Sequence, residues 1–168
     1  MEKRFEYRLD RRARRITAIV IAAVALLSAA ALCLWVGSSY YSAWLLSNIA
    51  AVAGLYILSI PRHVAVTEAG VEIHCLVELT ILNYDDLRSV RRVGREELKY
   101  CIPLLGSYGF FGYYGYYFNL RDWSVFKIYA SEWNNFVEIE DVYEQIYVVS
   151  CPDADRLTEL IEKNRTVQ

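Results

Sequence analysis

Residues 106–117 read GSYGFFGYYGYY, with glycine at Gly106, Gly109, Gly112 and Gly115. A three-residue glycine period invites comparison with collagen, but this run is short and holds no proline. A phosphate-cradling loop would need a helix after it and a Lys or Ser/Thr partner. The next patterned segment, 123–130, is instead aromatic and β-branched and reads as a strand. The run therefore predicts an aromatic loop whose glycines let the backbone turn tightly. Its rings have two uses. They fill the core of a β-domain, or Tyr113, Tyr114, Tyr116 and Tyr117 present stacking faces and hydroxyls as a recognition surface.

Outward from the run, the text alternates in strand fashion. Downstream, the Asn134-Asn135 turn leads to 136–140, where Val137 and Ile139 face inward. Ile146 and Val148 continue the alternation. Upstream, Val64 and Val66 lead through a Glu68-Ala69-Gly70 turn to Val71, Ile73 and Cys75, a hairpin signal. Segments 78–84 and 87–93 read as two more strands, giving roughly seven. The period then changes. Ala154, Leu157, Leu160 and Ile161 share one helical face, and Pro152-Asp153 mark the helix start. A helix with one apolar stripe must cover something, and the sheet is the nearest surface.

The order of these signals carries a resemblance. A glycine-aromatic run Gly106-x-x-Gly-x-x-Gly112-Tyr-Tyr-Gly115 precedes a strand ending Val125-Phe-Lys-Ile-Tyr129-Ala130. Next come Asn135-Phe-Val137-Glu-Ile139-Glu140, then Tyr147-Val-Val-Ser150-Cys-Pro152-Asp153, then the helix. This resembles the C-terminal half of the bacterial pleckstrin-homology-like (PH-like) domains found in small membrane proteins, over about residues 100–163. The resemblance implies a seven-stranded, partly open β-barrel or sandwich capped by a C-terminal helix, and a binding module rather than an enzyme. Phosphoinositide-binding pleckstrin domains set Lys and Arg around the first hairpin. Here that turn is Thr67-Glu68-Ala69-Gly70, without a base.

Before this domain lies a block that one soluble core does not need. Residues 16–61 are 46 positions without Asp, Glu, Lys or Arg. A bilayer core needs roughly 20 apolar residues per helix. The block thus predicts two spans, 16–36 and 43–60, joined by a turn over 37–42. Pro61 ends the second. Trp35, Tyr40, Tyr41 and Trp44 cluster at the turn as an interfacial belt. The first span is too long for the apolar core of a signal peptide. Ala18, Ala22, Ala25 and Ala29 match Ala43, Ser47, Ala50 and Gly54 in spacing, and small residues at such steps let helices pack closely. No span carries an ionisable side chain, which argues against a transporter.

Charge is split around the block. Residues 1–15 hold seven bases and three acids, and 62–168 hold eleven bases and seventeen acids, consistent with a total of −2. The acidic second part argues against nucleic-acid binding. The bases before the first span and the absence of bases in the turn predict cytoplasmic termini. Arg11, Arg12, Arg14 and Arg15 also suit anionic headgroups. The expected organisation is a basic cytoplasmic N-terminus (1–15), a transmembrane hairpin (16–61) and a cytoplasmic PH-like domain (62–168). The expected place is the bacterial cytoplasmic (inner) membrane, multi-pass.

No chemistry-bearing constellation emerges. Cys33, Cys75, Cys101 and Cys151 are far apart and read as free thiols in a reducing compartment. His74 and Cys75 point to opposite faces of a strand and do not chelate together. No catalytic residue, metal site or cofactor is expected. Arg88, Arg91, Arg92 and Arg95 form the one dense basic stretch of the domain. They serve either anionic headgroups or an acidic partner, or they are the charged edge of a solvated strand. The expected function is a membrane-tethered module that binds a membrane protein partner or lipid headgroups at the bilayer. The alternative is an accessory subunit whose hairpin carries the specificity and whose β-domain is a structural cap.

Overall fold

A computed structural model describes residues 3–34, 39–58, 60–76 and 79–167. Strand β1 (Lys3–Glu6) precedes two long helices, α1 (Arg11–Leu34) and α2 (Ser39–Leu58). Then come β2 (Pro61–Val66), β3 (Gly70–Cys75), β4 (Leu79–Asn83), a single turn of 3-10 helix (Tyr84–Asp86) and β5 (Leu87–Val93). The chain continues through β6 (Cys101–Tyr108), β7 (Tyr113–Asn119), β8 (Val125–Ala130), β9 (Phe136–Asp141) and β10 (Ile146–Ser150) to α3 (Ala154–Val167).

The strands form two open sheets, ordered β1-β2-β3-β4 and β5-β9-β10-β8-β7-β6. Of the two expected forms, a partly open barrel or a sandwich, this is the sandwich. All described pairings are antiparallel except β8 with β10. Three strands exceed the seven read from sequence. One is β1, and the other two are β6 and β7, which contain most of the expected aromatic loop.

The core has two parts. Val64, Val66, Val71 and Ile73 of the first sheet meet Val137, Ile139 and Val149 of the second. Leu157 and Ile161 of α3 close this part, so the apolar stripe read from sequence does cover the sheets. Each such side chain contributes about 1.5–3 kcal/mol on burial. The second part gathers Tyr113, Tyr117, Phe126, Trp133 and Phe136, and includes Ala13 from α1.

The hairpin β2–β3 has the expected turn. Thr67 N–H and its hydroxyl both donate to the Gly70 carbonyl. The helical region differs from expectation in two ways. Residues 39–42, read as turn, already belong to α2. Trp35, Gly37 and Ser38 of the expected tip lie outside the described residues. The small-residue stripe does not join the helices, because Ala18, Ala22, Ala25 and Ala29 are all exposed. A side chain built on Gly54 would meet nothing within 4 Å.

Among the described residues one helical stretch, Arg11–Ala30, is long and apolar enough to cross a membrane. Only 11% of its apolar part is buried, so it is not the core helix of the domain.

Candidate functional site

The tyrosines expected to face a partner mostly face inward. Tyr113 and Tyr117 are fully buried and Tyr114 nearly so, while Tyr116 is 43% exposed. This corrects the four-ring recognition surface: three of the rings are core. The Tyr113 hydroxyl donates to Asp10 Oδ2 at 3.3 Å, and the Tyr117 hydroxyl donates to the Ser107 carbonyl. Burial raises the pKa of both hydroxyls well above the ordinary range. Tyr116 stays at the surface with Lys127 5.0 Å above its ring.

The arginines lie elsewhere. Arg88, Arg91 and Arg92 are on β5, at the far edge of the six-stranded sheet from β7. Four strand steps separate the two, about 19 Å at ordinary spacing. The structure therefore does not bring the tyrosines and arginines together.

Each of those three arginines faces an acid. Arg91 meets Glu138 through two bonds of 2.7 and 2.9 Å, and Glu97 at 2.8 Å. These carboxylates, Glu138 first, hold its guanidinium more firmly protonated than usual. The Gly94 N–H and then Arg91 lower the Glu97 carboxyl in turn. Arg88 meets Glu140 at 3.2 Å and Glu144 at 3.6 Å, and Arg92 meets Asp155 of α3. Arg95 is exposed and makes no ion pair among the described residues. A polar cleft of about 340 Å³ beside Arg91 sets Arg91 and Arg121 against Glu97, Asp122 and Glu138. Three acids against two bases give an anion little reason to enter.

What the structure does assemble is the root of α1. Phe5 of β1 pairs in register with Val64, adding a strand to the first sheet. The Tyr7 hydroxyl donates to the Tyr129 carbonyl at 2.8 Å. Asp10 then starts the helix. Its Oδ1 accepts from the Ala13 N–H at 2.6 Å, an N-cap bond. Its Oδ2 accepts from the Trp133 N–H at 3.2 Å as well as from Tyr113. One carboxylate thus ties the first helical turn to two parts of the β-domain.

The glycine-aromatic hairpin completes the joint. Gly106 and Gly115 face each other across β6 and β7 at φ +145° and +105°. A Cβ on Gly115 would lie 2.2 Å from the Leu105 carbonyl oxygen, so only glycine permits this close crossing. At the hairpin tip a Cβ on Gly109 would stand 2.5 Å from Ile16 Cδ1. Thr17 donates its hydroxyl to the Gly109 carbonyl at 3.3 Å and accepts from the Phe111 N–H at 2.8 Å. Arg12 lies 5.1 Å above the Tyr108 ring.

Beyond this joint an apolar cleft of about 550 Å³ opens between α1, α2 and the hairpin. Arg11, Arg12, Arg14 and Arg15 are exposed on α1, and the first turn of α1 holds no acid. Along β6, an edge strand, Ile102, Leu104 and Leu105 are also exposed.

Sequence reasoning missed Asp10 and Thr17 as parts of this joint. Asp10 carried a signal, since an Asp directly before a helical run is an N-cap candidate. Thr17 carried none, because its partners lie 92 and 94 positions away.

His63 and His74 stack across β2 and β3 at 4.4 Å, and His74 Nε2 lies 2.8 Å from Glu72. Among the described residues no group of three His, Cys, Asp or Glu is arranged to hold a metal ion.

Comparison with curated proteins and with solved structures gives no match. Residues 62–165 match the family described as the bacterial PH domain, from the start of β2 to near the end of α3. The sandwich, the capping helix and this match over more than half of the chain place it in the bacterial PH domain family.

Proposed function

We propose that this chain is a membrane-tethered interaction module. A two-helix hairpin holds its PH domain at the cytoplasmic face of the bilayer, where the domain binds a membrane protein or lipid. The observation that carries the reading is the joint at the root of α1. A helix apolar enough to span is bonded through Asp10 and Thr17, and packed through Ala13, to the PH domain itself. A flexible linker would let the domain drift, whereas this joint fixes which face meets the headgroups and raises its effective concentration for membrane components. PH-like domains typically act by binding rather than by catalysis, and this chain fits that pattern. The exposed edge of β6 with Tyr116 is the surface offered to the partner, since unpaired strand edges and apolar patches are where chains meet.

Photo-crosslinking in intact cells tests this. A crosslinker at Leu105 or Tyr116 is expected to trap a membrane protein or lipid, and one at Glu159 on α3 to trap neither. Equal yields at all three positions would sink the module reading. The exposed stripe Ala18, Ala22, Ala25 and Ala29 supports the second reading, an accessory subunit held through its spans. Adducts at Ala22 alone would favour it.

A further inference from the structure

Arg12, Ile16, Val20 and Val24 succeed one another at steps of four, so they form one ridge of α1. The three apolar members line the cleft of about 550 Å³, and Ile49 and Ala53 of α2 form its other wall. Tyr108 also lines the cleft, and Arg12, one helical turn before Ile16, stands over its ring. The cation therefore sits where the apolar lining stops. Asn48 and Ser107 of the lining are turned to backbone carbonyls. Asn48 donates to Trp44, and Ser107 donates to Phe110. The volume lies within the roughly 300–1,000 Å³ of pockets that enclose a small molecule.

A cleft that is apolar along its length and cationic at one end complements an amphiphile with an anionic head. We propose that it holds an acyl chain of one anionic phospholipid, with Arg12 on the headgroup phosphate. This rests on the reading of α1 and α2 as a membrane hairpin, and it names the lipid contact of that module. Guanidinium suits phosphate through paired hydrogen bonds. Arg12 makes no ion pair among the described residues, the first turn of α1 has no acid, and the Asp10 carboxylate makes its bonds to Ala13, Trp133 and Tyr113 rather than to the guanidinium. A helix of a second copy is a poorer occupant. The small residues that let helices approach lie on the exposed stripe of α1, outside the cleft.

The test uses the full chain reconstituted in nanodiscs with equal phosphatidylglycerol and phosphatidylcholine. The protein is then released in mild detergent, and retained lipid is counted by native mass spectrometry. The wild type is expected to keep phosphatidylglycerol in preference to phosphatidylcholine. Ala53→Phe and Val20→Phe, which fill the cleft, should each remove retained lipid. Arg12→Gln should keep a chain bound but lower the preference for phosphatidylglycerol about fivefold, the loss of one headgroup charge contact. Ala53 belongs to neither buried cluster of the β-domain, so its variant is expected to melt like the wild type. Unchanged retention in both filled variants, or no preference in the wild type, overturns the lipid site while leaving the membrane hairpin standing. A chain that does not enter nanodiscs overturns both.

Discussion

Tyr113 and Tyr116 stand three positions apart on one strand, yet one is fully buried and the other is 43% exposed. The difference is what each ring meets. Tyr113 packs on Trp133 at 4.8 Å, while Tyr116 has only Lys127 above it among the described ring contacts. Tyr113→Ser and Tyr117→Ser should each lower unfolding free energy by about 3 kcal/mol or more, as large-to-small core changes do. Tyr116→Ser should stay within about 0.5 kcal/mol. Chemical denaturation of the three variants checks this.

Two thiols add a pH dependence. Burial pushes Cys101 and Cys151 from an ordinary 9.0 up to about 11, so the fold favours the neutral thiol. In the unfolded chain these groups ionise first. The stability they contribute is therefore complete below pH 9.0 and falls as pH rises toward about 11. Melting temperatures across that window should decline, and Cys151→Ala should flatten the decline.

At the scale of elements, the strands with clean alternation are legible in the sequence and those without it are not. β3 and β9 alternate, and the sequence places them at nearly their observed limits, along with the stripe of α3. β6 exposes Ile102, Leu104 and Leu105 together, so its apolar residues carry no period of two. β7 interrupts its aromatics with Gly115, which serves the crossing with Gly106. β1 has four residues and one buried side chain, too little for any pattern, and its partner strand is about 60 positions away. The buried tyrosines are legible as aromatic mass but not as inward or outward. That choice depends on Trp133 and Asp10, which the fold brings from opposite ends of the chain. The hairpin crossing gives its own prediction. Gly115→Ala, at a positive φ and against a backbone oxygen, should destabilise by about 1–3 kcal/mol in thermal unfolding.

At the scale of the molecule, the family domain and the apolar helix are one mechanical unit. The family match begins at residue 62, yet β1 extends the first sheet and Ala13 lies in the second part of the core. Lys3–Glu6 and Ala13 thus pack with the matched domain. A fragment starting at residue 62 would expose the β2 edge and lose Phe5 and Asp10 together, so experiments on binding belong with the full chain.

The central claim is that this unit sits in a membrane with its PH domain on the cytoplasmic side. Impermeant thiol labelling in intact cells, with Cys33 replaced by alanine, tests it most directly. Cysteine at Tyr40 should label before lysis, cysteine at Thr166 only after it, and both proteins should stay with the membrane pellet through alkaline carbonate extraction. Labelling of Thr166→Cys in intact cells, or release of the chain by carbonate, would contradict the account.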